Sequence, residues 1–357
     1  MKKFMLIGLV IILAFAMLAG CGTNDPPPPP PPPPADENGE EAEVLGPPVH
    51  MTLGHSFPVH DLLAMSMQEF ADQVEAMSGG NMTITIHPQN TVVTSPDALP
   101  AVQDGIIDMA QGALTFHAMS IPSLLGFDIQ GIYDPQYYWE TIEIINPILE
   151  RIMNRHNQSV LMHFDTANSI FYFTSPLQVT SPADIAGLRI RDHGVWVGRS
   201  IAAWGGHPMT IVPPDVAVAL ERGTVDGGFT GWNFVLANRL FESAPYVTFA
   251  DIAKSSFSPL TINLDTYNSL TPAQRAIIRE AAAIAEQFGR ELAESREDMF
   301  IQMVLDAGGV VTRMTEEQTQ AFVTASMALL DEARETTDDL GNELIDALLS
   351  APSRFNR

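Results

Sequence analysis

Ser181-Pro182-Ala183-Asp184-Ile185-Ala186-Gly187-Leu188-Arg189-Ile190-Arg191 reads as a short helical turn that feeds a strand. A serine followed by proline is a helix start, the serine capping and the proline occupying the first helical position. Downstream the alternation continues. Val195 to Trp204 predicts a helix closed by Gly205-Gly206, and Met209 to Val212 predicts a strand. Pro214 to Arg222 predicts a helix ended by Gly223, and Val225 to Phe229 returns to a strand. Upstream, Val160 to Phe164 and Ile170 to Phe173 have the apolar, β-branched and aromatic content of strands.

The first part of the chain has the same cadence. His50 to Gly54 predicts a strand, and the apolar positions Leu62, Leu63, Met67, Phe70, Ala71, Val74 and Met77 keep one helical face buried until Ser78-Gly79-Gly80. Met82 to His87 alternates as a strand does, Ser95-Pro96 starts another helix, and Ile106 to Ala110 enters the next strand. Strand and helix in alternation predict two α/β units, each with a mostly parallel sheet. The last third is helical. Thr271-Pro272-Ala273-Gln274 is a capping box opening a helix to about Ala307, and Thr315-Glu316-Glu317-Gln318 is a second. About 35 residues at 1.5 Å each give a helix of about 50 Å, long enough to span both units.

The N-terminus predicts export. Lys2 and Lys3 precede an uncharged apolar run from Phe4 to Leu18, too short for a comfortable membrane span and typical of a signal peptide. Leu18-Ala19-Gly20-Cys21 is a lipobox ending in the chain's single cysteine, which predicts a lipid anchor on Cys21. Pro26 to Pro34 is an unbroken proline run, followed by acidic residues through Glu43, and this stretch predicts an extended tether.

The formal net charge is −25, and past Lys3 the only lysine is Lys254. That balance argues against nucleic acid as a partner, because phosphate binding needs clustered cations. An acidic protein can still hold an anion where one arginine dominates the field inside a cleft. The nine histidines show no metal-ligand spacing, and no Ser/His/Asp order, phosphate-cradling loop or catalytic carboxylate pair stands out. No metal, no cofactor and no enzymatic activity are expected.

In this order and spacing, several blocks resemble the solute-binding proteins of tripartite ATP-independent periplasmic (TRAP) transporters, of the C4-dicarboxylate-binding type. They are Leu53 to Pro58, Ala101 to Met109, Ser181 to Arg191, Trp204 to Pro208 and Ala219 to Gly227. The resemblance runs from about residue 51 to 311. It implies a two-lobed, periplasmic-binding-protein-like α/β fold with a hinge and a long C-terminal helix across both lobes. With the N-terminal reading, the expected organisation is a signal peptide over 1–20 and an anchor and tether over 21–46. Lobe I is then 47–168 plus about 257–297, and lobe II is 169–256 plus about 298–350.

The resemblance further implies a receptor, and the lipobox predicts that it is lipid-anchored on the outer face of the cytoplasmic membrane. It binds a small organic anion and delivers it to large and small integral-membrane subunits. Two other roles use a similar fold: the ligand-binding partner of a membrane sensor, and the binding protein of an ATP-driven importer. In the family, the arginine at the position of Arg191 grips the ligand carboxylate, a task suited to a planar fork of N–H donors. Taken alone, Arg191 reads more readily as a surface ion-pair residue, and the motif around it reverses that preference. Arg189 is placed on the opposite strand face, with an ion pair as its expected role.

The chain departs from the family at two places. Many members carry another arginine on the strand that here is Ser169-Ile170-Phe171-Tyr172-Phe173-Thr174, and many have a Gln-Glu-Asn-type sequence where this chain has Gly228-Phe229-Thr230-Gly231-Trp232-Asn233. These differences predict a less polar pocket and a carboxylate with an apolar or aromatic body. Phe171, Phe229, Thr230 and Trp232 are candidates for cleft lining, with core packing the alternative. His55 and Phe57 in the first strand-to-helix loop have the same two readings. His193 is a candidate second donor, and Gln111 and Phe116 are candidates for the other wall.

Overall fold

The computed structural model describes residues 45–357. The signal peptide, Cys21 and nearly all of the tether lie outside the described residues. In chain order the strands are β1 (Val49–Gly54), β2 (Met82–His87), β3 (Met109–Gln111), β4 (Gln158–His163), β5 (Asn168–Phe173), β6 (Arg189–Asp192), β7 (His207–Thr210), β8 (Gly227–Gly231), β9 (Tyr246–Lys254), β10 (Pro259–Asn263) and β11 (Val310–Arg313). They form a five-stranded sheet, β2-β1-β3-β10-β4, and a six-stranded sheet, β11-β9-β5-β8-β6-β7.

Each sheet is mostly parallel, as the strand and helix alternation predicts, with a single strand reversed in each. β10 runs antiparallel to both β3 and β4, and β5 runs antiparallel to both β8 and β9. The reversals fall where the chain changes lobe. β4 leads into β5, and β9 into β10, through segments of a few residues with no helix. Each reversed strand, β5 and β10, is the one that the chain enters directly from the other sheet.

The helix Leu62–Met77 follows β1. Asp61 caps it by accepting the Leu63 amide at 2.8 Å, and Gly79 and Gly80 end it at positive φ. Its buried face, including Met67, Phe70 and Val74, packs on the first sheet and on the helix Pro272–Asp306. The two helices come close because Gly289 has no side chain: a Cβ there would lie 2.6 Å from Ser66 Oγ. Thr271 and Gln274 form the reciprocal capping box that the sequence predicts.

This 35-residue helix ties the lobes together. Near its start, Arg279 donates to Ser159 Oγ (3.0 Å) at the edge of the first sheet. Near its end, Phe300 stacks on Trp232 (5.8 Å) and meets Phe249 (6.2 Å), both of the second lobe. Along it a single apolar cluster runs from Leu53 and Phe70 to Phe249 and Val304. The C-terminal helix Asp339–Ser350 does not stay with the second sheet. It packs on the segment Pro122–Asp128 and on the helix Tyr138–Arg155. A division by residue ranges therefore does not separate the lobes cleanly after about residue 298.

The two crossing segments are bonded to each other. Ser255 N donates to Ala167 O (3.0 Å), and Thr166 Oγ1 donates to Ser256 O (2.7 Å). Lys254 Nζ bridges both carboxylate oxygens of Asp165, at 2.8 and 3.0 Å, with both side chains largely buried.

Candidate functional site

A cavity lies between the lobes beside these crossing segments, enclosing about 660 Å³ of empty space including its open mouth. The first lobe contributes Ser56, Phe57, Pro58, Ser95 and Phe116. The second contributes Arg191, His193, Thr230, Asn233 and Phe234, and the crossings contribute Thr166, Ser255, Ser256 and Ser258.

Arg191 reaches the cavity because of the turn that precedes β6. Asp184 accepts the amides of Thr180 and Ser181, each at 2.8 Å, and fixes the turn, and Gly187 supplies the positive φ that leads into the strand. Ile190 then points into the helix-side core with Phe171, Phe229 and Trp204. Arg191 points the other way and is buried, with 2% of its surface exposed. Its Nε donates to Ile211 O at 3.1 Å, and its guanidinium carbon lies 5.1 Å from the centre of the Phe234 ring. Among the described residues, neither terminal nitrogen has a hydrogen-bond partner and no carboxylate pairs with it. Burial lowers its pKa, and Tyr172 and Asp192 oppose the shift. An arginine stays charged at ordinary pH even so.

Arg189 forms a partly exposed ion pair with Asp226, at 2.6 Å. The expectation that the two arginines take opposite faces is wrong, because side chains two apart in a strand point the same way. Position along the strand separates them: Arg189 is at the outer end, and Arg191 is deeper, under Phe234.

Five of the ten ligand-binding candidates line the cavity: Arg191, His193, Thr230, Phe57 and Phe116. His193 Nε2 is 2.8 Å from Ser255 O. Burial, with Arg191 adding to it, lowers its pKa to about 4, so the ring is neutral. The other five lie elsewhere. Phe171 and Phe229 face each other across β5 and β8, 4.8 Å apart, in the core against Trp204 and Phe322. Strand alternation sends Thr230 to the cleft and its neighbour Phe229 to the core. Trp232 is committed to Phe300 on the long helix. His55 is buried outside the cavity, where its Nδ1 accepts the Phe57 amide at 3.2 Å and so fixes the loop that presents Phe57. Gln111 is buried at the end of β3.

Sequence reading missed Phe234, Asn233 and the hydroxyls of Ser56, Ser95 and Ser255 to Ser258. Only Phe234 had a usable signal, lying one helical turn into the segment after Thr230. The serine-rich crossing had none, because its role depends on how the strands on either side of it pair in the two sheets. Among the described residues no group of three or more His, Cys, Asp or Glu side chains is arranged to hold a metal ion.

A family model described as bacterial extracellular solute-binding protein, family 7, matches residues 53–336. The chain is 22% identical over 299 residues to the ectoine-binding periplasmic protein TeaA of Halomonas elongata, covering 81% of this chain and 84% of that one. Its fold is similar to that of a TRAP periplasmic solute-binding protein from Roseobacter denitrificans with bound β-D-glucuronate (TM-score 0.78, 21% identity, 85% of this chain and 100% of that one). It is also similar to a Bordetella pertussis extracytoplasmic solute receptor binding pyroglutamic acid (TM-score 0.77, 18% identity, 84% and 99%).

Proposed function

The chain belongs to the bacterial extracellular solute-binding proteins of family 7, the DctP type that serves TRAP transporters, and from that premise we propose that it is the receptor for a small organic acid bound between its lobes. The observation that carries this reading is Arg191, a buried cation whose terminal nitrogens face a cavity without a counter-ion. Burying a charge is costly unless it is paired, and a ligand carboxylate is the missing partner. Two parallel N–H donors suit a carboxylate's two oxygens. The rings of Phe57, Phe116 and Phe234 favour a ligand body with an apolar or aromatic face. The names of the similar proteins, with ectoine, glucuronate and pyroglutamic acid, favour a solute of this size class.

A ligand touching both walls binds the closed arrangement best and shifts the lobes toward it. The closed receptor then hands the acid to the large and small membrane subunits of a TRAP transporter. The lipobox favours a location outside the cytoplasmic membrane, with acyl chains on Cys21 as the anchor. Native mass spectrometry of freshly purified protein should find a small acid at one per chain, absent from Arg191→Ala. A retained molecule without a carboxylate would overturn the reading. Fractionation of Cys21→Ser tests the anchor: the variant should leave the membrane, and a variant that sediments as the native protein does would disprove lipidation.

A further inference from the structure

Seven residues lining the cavity carry hydroxyls, and six of them are bonded to one another in pairs. In the first lobe Ser95 Oγ donates to Ser56 Oγ at 2.8 Å. In the second crossing Ser256 and Ser258 share a hydrogen bond of 2.8 Å. Thr230 of the second lobe and Ser255 of the crossing are 3.3 Å apart. Thr166 differs from these six. Its hydroxyl donates to Ser256 O and accepts Ser256 N–H, so it is fully engaged locally.

A hydroxyl has one donor proton and two acceptor lone pairs. Within a pair, one O–H is committed to the other oxygen and the second is free. Among the described residues none of the six hydroxyls has a further partner. The cavity therefore presents three free O–H donors, one from each lobe or crossing, with lone pairs beside them. Against them stands one formal charge, Arg191. Among the described residues no carboxylate, lysine or second arginine lines the cavity.

This inventory selects among acids. A second carboxylate on the ligand would enter a buried space without a cation, the costly case for a charge. A purely hydrocarbon body would cover the three donors and leave them unsatisfied. We infer, building on the receptor reading above, that the pairs Ser56–Ser95, Thr230–Ser255 and Ser256–Ser258 determine specificity. They select a monocarboxylate that also bears uncharged hydrogen-bonding groups (hydroxyl, ring oxygen or amide). Because the pairs belong to both lobes and the crossing, such a ligand reaches its full set of hydrogen bonds only when the lobes are closed on it.

Titration calorimetry on three groups of probes tests this. Plain monocarboxylates are hexanoate and benzoate, substituted ones are gluconate, glucuronate and pyroglutamate, and dicarboxylates are succinate and adipate. The tightest binder should come from the substituted group, by at least about tenfold over the best of the other two, a factor equal to one satisfied polar contact. Ser255→Ala in the crossing and Ser56→Ala in the first lobe, made separately, should each reduce that ratio several-fold. A dicarboxylate or plain acid as the tightest binder, or a ratio unmoved in both variants, would overturn the inference while leaving the receptor reading intact. Binding of no probe in any group, by either native protein or variants, would sink both.

Discussion

The two faces of the six-stranded sheet are made by alternate residues of the same strands, yet they do opposite things. On the helix side Phe171, Phe173, Phe229 and Ile190 form a dry core with Trp204 and Phe322, and the ring of Phe171 lies 4.8 Å from Phe229 and 5.8 Å from Trp204. On the cleft side Arg191 and Thr230 meet a cavity. Between them Gly228 has no side chain to oppose Tyr172: a Cβ there would lie 2.3 Å from the phenol oxygen. One face stabilises by excluding water from hydrocarbon, and the other keeps a charge and hydroxyls unsatisfied for a ligand. A site of this kind is tolerable because the opposite face of the same strands holds the sheet in place.

The largest expected effect breaks the cleft face alone. Arg191→Ala should weaken ligand binding at least about a hundredfold, since truncating one partner of a buried charge pair costs about 3–5 kcal/mol. Arg191→Lys keeps the charge without the fork and should fall between Ala and native. Arg189→Ala, on the same face but paired with Asp226 at the exposed end of the strand, should change affinity by no more than about twofold, as exposed ion pairs contribute little. Calorimetry on the three variants separates these cases. Equal losses for Arg189 and Arg191 would show that the field of the whole strand, and not one guanidinium, holds the anion.

The next effect falls on the core face. Phe171→Ala should lower unfolding stability by about 3–5 kcal/mol through lost burial and a cavity. Affinity measured on the folded variant should stay within about threefold of native, because no atom facing the ligand changes. Denaturant unfolding and calorimetry on the same sample give both numbers. A large affinity loss at small stability cost would mean that Phe171 belongs functionally to the cleft.

The split between faces is also where the sequence was legible and where it was not. Helix caps, the long helix and the two α/β units could be read because each rests on local chemistry, such as Thr271 with Gln274 or Ser181 with Pro182. Arg191 was legible through the block around it. The aromatic run was misread because Phe229 and Thr230 are adjacent, and a shift of one residue exchanges core for cleft. The lobe change near residue 257 came with the resemblance, but β9 and β10 themselves were not read as strands, so the hydroxyls between them went unread. The identity of the neighbours of Ser255 is set by topology, which short patterns do not contain.

The smallest effect separates recognition from stability by pH. Burial lowers the pKa values of His55, His117, His163 and His193 to about 4. Between about 4 and their ordinary value near 6.5, the unfolded chain binds more protons at these rings than the folded one does. The stability they contribute is therefore complete above about pH 6.5 and is lost as pH falls through that window. Asp61 and Asp128, raised to about 7 by burial, act in the opposite sense: the folded chain holds their protons, and their contribution is lost as pH rises from about 4 through 7. Four groups oppose two, so melting temperature should rise from pH 5 to pH 6.5 and then level off. Ligand affinity should not follow. The group that holds the anion is an arginine, which does not titrate there, and neutral His193 donates from one ring nitrogen to Ser255 O. From pH 5.5 to 8 the dissociation constant should vary by less than about threefold, with the proton exchange on binding, read in two calorimetry buffers, near zero. If affinity instead strengthens by about tenfold toward pH 5.5 with uptake of one proton, an imidazolium at His193 shares the carboxylate. The cleft would then hold two cations in the bound state, and a second carboxylate could be accommodated beside Arg191.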